Sequence, residues 1–494
     1  MKKYVLTRIL KSLLSIFVVV SVVVIMVYTL IPIQNVFQND TAYKKLQANQ
    51  KTVYRYNKLE ELGYLDFYTI NELCQAKSDN FEACVVPGSD ENLKALSEIE
   101  SEGYTVELLD KNDTLRGNSI AYKFYNVVQL ITNFYSKLII VDNPWAIEDP
   151  NNPELERKYY IGTSPSGMPA IMCSGCNYKY QLYFDGNFPF IHQNAITLEF
   201  GLSYPTQTGI QTVDVINNGQ GSLESFEQTF PTGQTTKSPI IQTSCEYKYQ
   251  LDHLDVQKFT DNYANCSLKY DSPSMVSTSY LFGIVSLIIA YVIALPAGIA
   301  MSRNKGKLID KIGIVYINLL IAVPSLAFIF FLKYIGMFFG LPDRFPQYGF
   351  GDIRSYILPM IILGLLSTPS LMMWIRRYMV DQSNSDYVKF AKAKGLSQKE
   401  IFRNHILKNA IIPIVNGIPS SVILCISGAV ITESVFSIPG MGKMLPDAIK
   451  STNNNMVITL TFIFTALSVF AVLLGDLLMT VVDPRIQLTS KKGG

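Results

Sequence analysis

Residues 386–413 read DYVKFAKAKGLSQKEIFRNHILKNAIIP and lie between two apolar stretches of the chain. From Gln398 onward, apolar residues recur at near-helical spacing, while basic and amide side chains fall mostly on the other face of the same helix. A shorter helical piece precedes it and ends at Gly395. The sequence therefore predicts two short helices that form a compact, amphipathic knob, which we call the basic segment.

The junction between these two predicted helices carries a capping signal. Ser397 has the side chain of an N-cap, and Glu400 follows three residues later as its capping-box partner. Ala391 and Ala393 are small enough for close packing in the first piece. From the residues alone, the basic segment suits an anionic lipid surface as well as it suits a partner protein.

The composition indicates a membrane protein with a large water-exposed part. The chain has 494 residues, of which 48% are hydrophobic and 17% are charged. A membrane-crossing helix needs about 20 mostly apolar residues. The stretches that meet this requirement are residues 12–31, 276–301, 312–340, 356–379, 411–436 and 456–482. We therefore predict six transmembrane helices.

The basic side chains all fall on one side of these predicted spans. Lys and Arg are concentrated in the N-terminus, the loop after the second span, the basic segment and the C-terminal tail. Since positive loops stay in the cytoplasm, both termini are predicted to be cytoplasmic. The first apolar run could also be a secretory signal, but its length and the absence of a small-x-small cleavage site favour a retained span.

The predicted organisation follows from these spans. It comprises a cytoplasmic N-terminus with the first span at 1–31, an extracellular domain at 32–275, a core of five spans at 276–485 that contains the basic segment, and a cytoplasmic tail at 486–494. We call residues 32–275 the insertion. Its Tyr-, Asn- and Thr-rich period-two stretches and turn signals predict a mainly β or α+β domain, with helices near 90–102 and 121–138.

The insertion contains most of the cysteines. They are Cys74, Cys84, Cys173, Cys176, Cys245 and Cys266, and the seventh, Cys425, lies in a predicted span. An even set on the oxidising side of the membrane predicts up to three disulfides. The connectivity stays open from sequence, although Cys74 with Cys84 and Cys245 with Cys266 are the simplest pairs.

The Cys173-Ser-Gly-Cys176 motif has a rival interpretation as half of a zinc or redox site. Zinc would need two more ligands at matching spacing, and the insertion offers only His192 and His253, neither in such a pattern. A redox motif would need a thioredoxin-like βαβ context, which the sequence lacks. These observations favour structural bonding and no metal site.

The sequence gives little support to an ion-coupled carrier or to ATP hydrolysis by this chain itself. Ion-coupled carriers need ionisable groups near mid-membrane, and the clearest candidates are Lys333, Glu433 and Asp476. Residues 440–443 read GMGK and lack both the spacing and the following Ser or Thr of a phosphate-binding loop. If ATP drives this protein, another polypeptide hydrolyses it.

Residues 386–397 and the KNAIIP run at 408–413 resemble the EAA loop of ABC importer permeases of the oligopeptide and dipeptide type. Gly395 matches the central glycine of that loop and Ala391 its preceding alanine, whereas Lys389 and Phe390 stand where the general pattern has Glu and Ala. In that family the loop is a coupling helix that seats in a groove of the ATPase subunit. The resemblance implies that the coupling residues are Asp386, Tyr387, Ala391, Ala393, Gly395, Leu396, Ser397 and Pro413.

Residues 428–445, GAVITESVFSIPGMGKML, resemble the segment that leaves the fifth span in the same family, and we call them the Gly-Pro segment. Residues 483–485 resemble its closing motif, and residues 201–204 and 213–216 more weakly resemble the stretch before the second span. The resemblance implies an outer gate or receptor contact at Glu433, Phe436, Pro439, Gly440 and Gly442. The alternative, which the residue types favour, is a tight re-entrant turn that needs Gly and Pro for its backbone.

The resemblance implies an all-α polytopic membrane protein with a type I ABC importer core. The large insertion is similar to that of the enlarged first permease of Gram-positive oligopeptide importers, the OppB or AmiC type. Such a permease pairs with a second permease, two cytoplasmic ABC ATPases and a lipid-anchored peptide-binding protein. It is not an enzyme and holds no cofactor, since ATP and Mg bind the ATPases.

Two alternatives to an oligopeptide permease remain open. A dipeptide or nickel permease has the same architecture. A membrane-anchored surface receptor or adhesin would explain the insertion, but it would not explain five further spans and the basic segment.

Overall fold

The structure is a computed structural model that describes residues 2–109, 119–186 and 190–482. The chain divides into two compact units. One, here the membrane unit, comprises Met1–Val20, Pro273–Ala448 and Leu460–Gly494. The other, here the insertion unit, comprises Ser21–Ser272 and Ile449–Thr459.

Helix α1 (Lys2–Leu30) has residues in both units. The rest of the insertion unit consists mainly of short helices and strands. Its further helices are α2 (Ile33–Val36), α3 (Thr41–Lys45), α4 (Ala48–Glu61), α5 (Ile70–Lys77), α6 (Phe81–Val85), α7 (Asp90–Ser101), α8 (Val127–Leu138), α9 (Thr212–Asn217) and α10 (Asp255–Lys258). Its strands are β1 (Leu65–Thr69), β2 (Thr105–Leu108), β3 (Ser119–Phe124), β4 (Ile139–Val141), β5 (Lys158–Thr163), β6 (Pro169–Ser174), β7 (Tyr180–Phe184), β8 (Ile191–Gln193), β9 (Ile196–Leu198), β10 (Gln220–Leu223), β11 (Phe226–Thr229), β12 (Thr235–Ser238), β13 (Ile240–Tyr247), β14 (Tyr263–Leu268) and β15 (Tyr270–Ser272).

The insertion unit is an α+β fold. Its larger sheets are a three-stranded sheet of order β1-β3-β2 and a four-stranded meander of order β5-β6-β7-β8, both antiparallel. The helix expected near 90–102 is present as α7. The helix predicted at 121–138 is correct only in its later part, because strand β3 occupies its first residues. Asn126 then begins α8 by accepting a hydrogen bond from the backbone of Gln129 at 2.9 Å.

Three disulfides join cysteines that are close in sequence. They are Cys74–Cys84, Cys173–Cys176 and Cys245–Cys266. Cys74–Cys84 and Cys245–Cys266 are the pairs predicted as simplest from the sequence. The third disulfide, Cys173–Cys176, joins the two cysteines of the Cys-x-x-Cys motif. The disulfide Cys245–Cys266 links β13 to β14 at positions that face each other in the ladder.

The insertion unit includes a stretch from the far end of the sequence. Asn453 donates to the Ser203 hydroxyl at 2.8 Å, Asn454 donates to the Tyr64 hydroxyl, and Asn455 donates to the Leu202 carbonyl at 2.9 Å. These amide side chains are buried, so each hydrogen bond replaces one that water would otherwise make. The contacts join residues about 250 to 390 positions apart, which local sequence patterns do not reveal.

The membrane unit is helical. Its helices are α11 (Met275–Arg303), α12 (Leu308–Ala322), α13 (Ser325–Phe338), α14 (Arg354–Ser383), α15 (Asp386–Ala393), α16 (Gln398–Glu400), α17 (Lys408–Leu424) and α18 (Val430–Phe436). Helices α19 (Met441–Ser451) and α20 (Asn454–Val482) have residues in both units. A π-helical stretch, Ile401–Leu407, joins α16 to α17, and a 3-10 turn, Cys425–Ser427, follows α17. The closing motif predicted at 483–485 and the predicted tail lie outside the described residues.

The predicted count of six spans is not confirmed. Among the described residues, five helices are long and apolar enough to cross a membrane, or up to six if one bent pair counts as a single span. That pair, α12 and α13, replaces the continuous third span and bends by 106°. Val323 is extended at the bend and Pro324 follows it, as expected because proline disfavours the helical conformation in the residue before it.

The predicted fifth span also has different limits. Its helix begins at Gln398 and ends at Ser427, and the positive φ of Gly428, 75°, separates it from α18. Helices α11 and α14 pack closely on each other, because Gly298 leaves space that Ile375 fills: a Cβ at Gly298 would lie 2.8 Å from the Ile375 side chain.

The buried carboxylate of Asp40 organises the start of the insertion unit. Its oxygens accept hydrogen bonds from the backbone of Ala42 and Tyr43 at 2.7 and 3.0 Å, and from the hydroxyls of Tyr54 and Tyr204 at 2.8 and 2.5 Å. Burial alone would raise the pKa of Asp40, but these hydrogen bonds outweigh it and hold the pKa below its ordinary value.

We predict that Asp40→Asn lowers the free energy of unfolding of the insertion unit at neutral pH by about 1–3 kcal/mol, because an amide cannot accept from all four donors. Since the folded pKa is depressed, the stability that Asp40 contributes is present above its unfolded pKa of about 4 and is lost as the pH falls through the folded pKa. The free energy of unfolding is measured by urea titration, with pulsed hydrogen exchange of the amides in α4 and β1 as the readout. Asp79→Asn, at an exposed site in the same unit, is the control; equal midpoints for both variants at pH 7 would contradict the assignment.

Candidate functional site

Helix α15 of the basic segment packs firmly on the membrane helices. Val388 and Ala391 are 1% and 4% exposed, and they share an apolar cluster with Ile375, Met379 and Ile406. The opposite side of the same helix faces outward, where Phe390 is 68% exposed. The segment therefore has one face fixed to the helices and one face that is open.

The junction after α15 has the predicted capping geometry. Gly395 has a φ of 77°, and a Cβ built there would meet no atom within 4 Å, so glycine is required by backbone conformation and not by space. The Ser397 hydroxyl accepts from the Glu400 backbone at 3.3 Å, and the Glu400 carboxylate accepts from the Ser397 backbone at 2.9 Å. This is the capping box that the sequence predicted.

The predicted end of the second short helix is wrong. It does not stop within the basic segment but continues through the π-helical stretch and α17 as far as Ser427, with Pro413 inside it. Residues 396–427 are all described, and no glycine among them has a positive φ, while Ile401, Ile406 and Ala410 bury one side of the helix. The basic segment is therefore a short helix and the beginning of a long one, not a separate knob.

The exposed surface of the basic segment is apolar at its tip and basic around it. Phe390, Ala393, Gly395 and Leu396 are exposed around the turn. The exposed basic residues are Lys389, Lys392, Lys394, Lys399, Arg403 and Lys408. Such a surface suits an apolar groove with an acidic rim, because both kinds of contact are then complementary.

The remaining predicted residues of the segment have local roles. The Tyr387 hydroxyl donates to the Gln382 side chain at 2.6 Å, which ties α15 to the end of α14. Asp386 is exposed and lies 2.8 Å from the Lys389 ammonium, which holds the pKa of this carboxyl below its ordinary value.

An ion pair that the sequence did not reveal braces the helices next to the basic segment. The Arg376 guanidinium in α14 donates to both carboxylate oxygens of Asp310 in α12, at 2.6 and 2.8 Å. Asp310 is 1% exposed and also accepts from the Gly306 backbone at 2.8 Å. Breaking such a buried pair leaves an uncompensated charge, so the pair fixes the position of α12 against α14. In the sequence, Arg376 is only one of several basic residues near the end of a span.

The Gly-Pro segment is built around the buried carboxylate of Glu433. The Ser279 hydroxyl of α11 donates to it at 2.8 Å, and the backbones of Ala429 and Lys443 donate at 3.0 and 2.8 Å. Ser279 in turn accepts from the Met441 backbone at 2.8 Å. One carboxylate and one hydroxyl thus hold both ends of the turn against α11.

The glycines of this segment are required by the space around that carboxylate. A Cβ at Gly440 would lie 2.5 Å from the Ser279 hydroxyl oxygen, and one at Gly442 would lie 3.0 Å from a Glu433 oxygen. Pro439 lies in the turn between α18 and α19, directly before Gly440. This geometry favours the interpretation as a tight turn over that of a mobile gate.

The other ionisable candidates of the spans contact protein groups. Lys333 donates to the Val435 carbonyl at 3.1 Å, and its ammonium lies 5.3 Å from the ring centre of the fully buried Phe436. Asp476 forms an ion pair with Arg8 of α1 at 2.8 Å. Both side chains are therefore engaged with other groups of the protein.

A cavity of about 210 Å³ opens beside the Gly-Pro segment. Its walls come from α11, α14, the end of the long helix at Cys425, and α18. Among the described residues, no group of three or more His, Cys, Asp or Glu side chains could hold a metal ion.

Comparison with known proteins finds relatives along the whole chain. The family described as "Binding-protein-dependent transport system inner membrane component" matches residues 294–488. The chain is 41% identical over 501 residues to the oligopeptide transport system permease protein AmiC of Streptococcus pneumoniae serotype 4, covering 100% of both chains. It is 31% identical over 237 residues to the dipeptide transport system permease protein DppB of Lactococcus lactis, covering 47% of this chain and 77% of that protein.

Among solved structures, the chain overlaps with one from inward-facing conformations of the MetNI methionine ABC transporter. The two share 15% sequence identity at a TM-score of 0.34, covering 42% of this chain and 94% of that one.

We predict that Ser279→Ala destabilises the membrane unit by about 1–3 kcal/mol, because Glu433 and the Met441 backbone each lose a buried partner. Near-ultraviolet circular dichroism of the purified protein during heating measures the unfolding. The control is Ser277→Ala, two residues earlier on the exposed side of α11. Identical melting curves for the two variants would show that the hydrogen bonds around Glu433 carry no stability.

Proposed function

This chain belongs to the family of binding-protein-dependent transport permeases that includes the pneumococcal oligopeptide permease, and we propose that it forms one half of the translocation pathway of an oligopeptide importer. It is a multi-pass membrane subunit and not an enzyme, since members of this family work with separate ATPase subunits. The subunits proposed around it are a second permease, two cytoplasmic ABC ATPases that bind ATP and Mg, and a lipid-anchored peptide-binding protein.

The observation that carries the proposal is the two-sided packing of the basic segment. Val388 and Ala391 fix α15 to the membrane helices, while Phe390 and Leu396 are left exposed among lysines. An amphipathic helix that rests on lipid buries its apolar face in the membrane. Here the buried apolar face is already occupied by protein, so the exposed tip suits a second protein surface. This supports docking to an ATPase over attachment to lipid.

The proposed mechanism follows from this attachment. When ATP closes the two ATPases, a groove on one of them moves the tip of the basic segment. Because α15 is packed on α14, and α14 is held to α12 by the Asp310–Arg376 pair, the displacement passes to these helices as a rigid body. The pathway then opens toward the outside, where the binding protein delivers peptide.

The orientation is part of the proposal. The exposed lysines and arginines of the basic segment support a cytoplasmic position for it, in line with the positive-inside rule. The insertion unit and its disulfides then face the outside, where the oxidising environment keeps such bonds intact. The match to the dipeptide permease covers 47% of this chain, whereas the match to the oligopeptide permease covers all of it, including the insertion.

We predict that Gly395→Val abolishes ATP-driven peptide uptake while the protein still inserts in the membrane, because a β-branched residue does not tolerate the positive φ at this turn. Gly395→Asn should retain most uptake, since asparagine adopts this conformation at lower cost. Gly340→Val, at a φ of 81° and with no atom near its Cβ, is a control for backbone strain elsewhere. Uptake of labelled peptide into cells measures all three; normal uptake by the Gly395→Val variant would contradict the assignment.

We predict that Phe390→Ala weakens binding of the ATPase subunit about tenfold, since truncation of a central apolar contact in an interface typically costs more than about 1 kcal/mol. The exposed Phe331 of α13 provides the matched control, Phe331→Ala. The measurement is the affinity of the purified ATPase for the permease pair in nanodiscs. Unchanged affinity for the Phe390→Ala variant, or an equal loss for the control, would count against docking at this tip.

A further inference from the structure

The cavity beside the Gly-Pro segment has an apolar body. Its apolar lining residues are Phe282, Leu287, Leu363, Leu424 and Ile438. At about 210 Å³ it is smaller than the roughly 300–1,000 Å³ typical of sites for drug-sized ligands. A whole oligopeptide does not fit there, but the side chain and terminus of a single residue do.

The polar lining of this cavity offers acceptors and few donors. The hydroxyls of Ser286 and Ser421 donate to the carbonyls of Met360 and Gly417 at 3.1 and 3.0 Å. The Ser286 proton is therefore engaged with protein and its lone pairs remain for a ligand, whereas the Ser421 hydroxyl also forms a hydrogen bond with the Tyr291 side chain.

Thr432 adds a hydroxyl to the wall of the cavity. It is 3% exposed and lines the cavity, and none of the hydrogen bonds that hold the Glu433 carboxylate uses its hydroxyl. Most buried hydroxyls are paired, and a ligand in the cavity can supply a partner for this one. Because a hydroxyl both donates and accepts, Thr432 can also accept from a ligand N–H.

Negative charge surrounds the same cavity. The long helix ends at Cys425–Ser427, and the last carbonyls of a helix carry a partial negative charge. The Glu433 carboxylate also lines the cavity, and no basic side chain of the described residues forms an ion pair with it. Its oxygens are occupied by donors of the protein, so a ligand would experience its charge through a low-dielectric wall and not by direct contact.

We propose that this cavity is a transit site for the N-terminal residue of the imported peptide, with the ammonium group near Thr432 and the first side chain against the leucines. The chemistry selects a cationic N–H donor attached to an apolar group, which is what a peptide with a free amine presents. The ends of broken membrane helices are a general place at which transporters hold charged substrates and ions. The inference rests on the proposed function, since it names the part of the peptide that the pathway recognises.

The first test compares uptake of tetra-alanine with that of N-acetyl-tetra-alanine by the assembled importer in vesicles. The variants are Thr432→Val, which removes the hydroxyl at nearly constant shape, and Ser434→Ala, a control on the exposed side of α18. The peptide-binding protein is the same in every sample, so its preference for one peptide over the other cancels when variants are compared. We expect the ratio of free-amine to acetylated uptake to fall about tenfold in Thr432→Val and to stay unchanged in the control, since a hydrogen bond to a charged group is worth roughly 1.5–3 kcal/mol.

The second test needs no variant, because Cys425 lies in the cavity wall as a free thiol. The rate at which N-ethylmaleimide labels Cys425 in the assembled importer is measured by mass spectrometry. We expect tetra-alanine to slow labelling several-fold and N-acetyl-tetra-alanine to leave it unchanged. Equal protection by both peptides, protection by neither, or protection by sodium chloride relative to choline chloride would overturn the proposal.

These outcomes separate the inference from the function on which it rests. If the wild-type importer takes up neither peptide, the proposed function fails. If it takes up peptide but Thr432→Val leaves the ratio unchanged, the proposed function stands and the transit site is wrong.

Discussion

The packing of Val388 and Ala391 against Ile375 and Met379 is the contact on which the proposed coupling role of this protein depends. Full burial of an aliphatic side chain contributes roughly 1.5–3 kcal/mol, so a few such contacts hold a short helix that would be unstable alone. Because α15 is held in this way, a force on its exposed tip acts on α14 as well. A loosely attached loop with the same sequence would move without moving the spans.

The same membrane unit has a second fixed point at the Gly-Pro segment. There the Glu433 carboxylate and the Ser279 hydroxyl hold a turn that interrupts the path of the long helix. Helices α11 and α14, which pack closely at Gly298, each contribute both to the cluster beneath α15 and to the cavity beside Glu433. A close-packed interior transmits displacement with little deformation. The basic segment and the cavity are therefore two sites on one packed group of helices.

Sequence patterns predicted those features that depend on neighbouring residues. The apolar runs located most of the spans, and the Ser397–Glu400 capping box was evident because both partners lie within one helical turn. The break at Val323 and Pro324 was missed because a proline within an apolar run is also compatible with a kinked continuous helix. The long helix after Ser397 was predicted too short because the amphipathic spacing of the basic segment concealed its continuity with the apolar run that follows.

The features that the sequence could not predict depend on long-range contacts. Asp310 and Arg376 are 66 positions apart, and nothing near either one indicates a pair. The asparagines at 453–455 look like a polar loop before a span, yet they are buried in the insertion unit. Glu433 was identified as an ionisable residue of interest, but its partners come from α11 and from the turn that follows it.

Contact between the exposed tip of the basic segment and an ATPase subunit, in place of lipid, can be measured directly. The photo-reactive amino acid p-benzoylphenylalanine is placed at position 396, intact cells are irradiated, and the cross-linked partner is identified by mass spectrometry. We predict a covalent adduct with the cytoplasmic ATPase. Adducts with phospholipid alone, at a level of protein expression that supports peptide uptake, would contradict the coupling role.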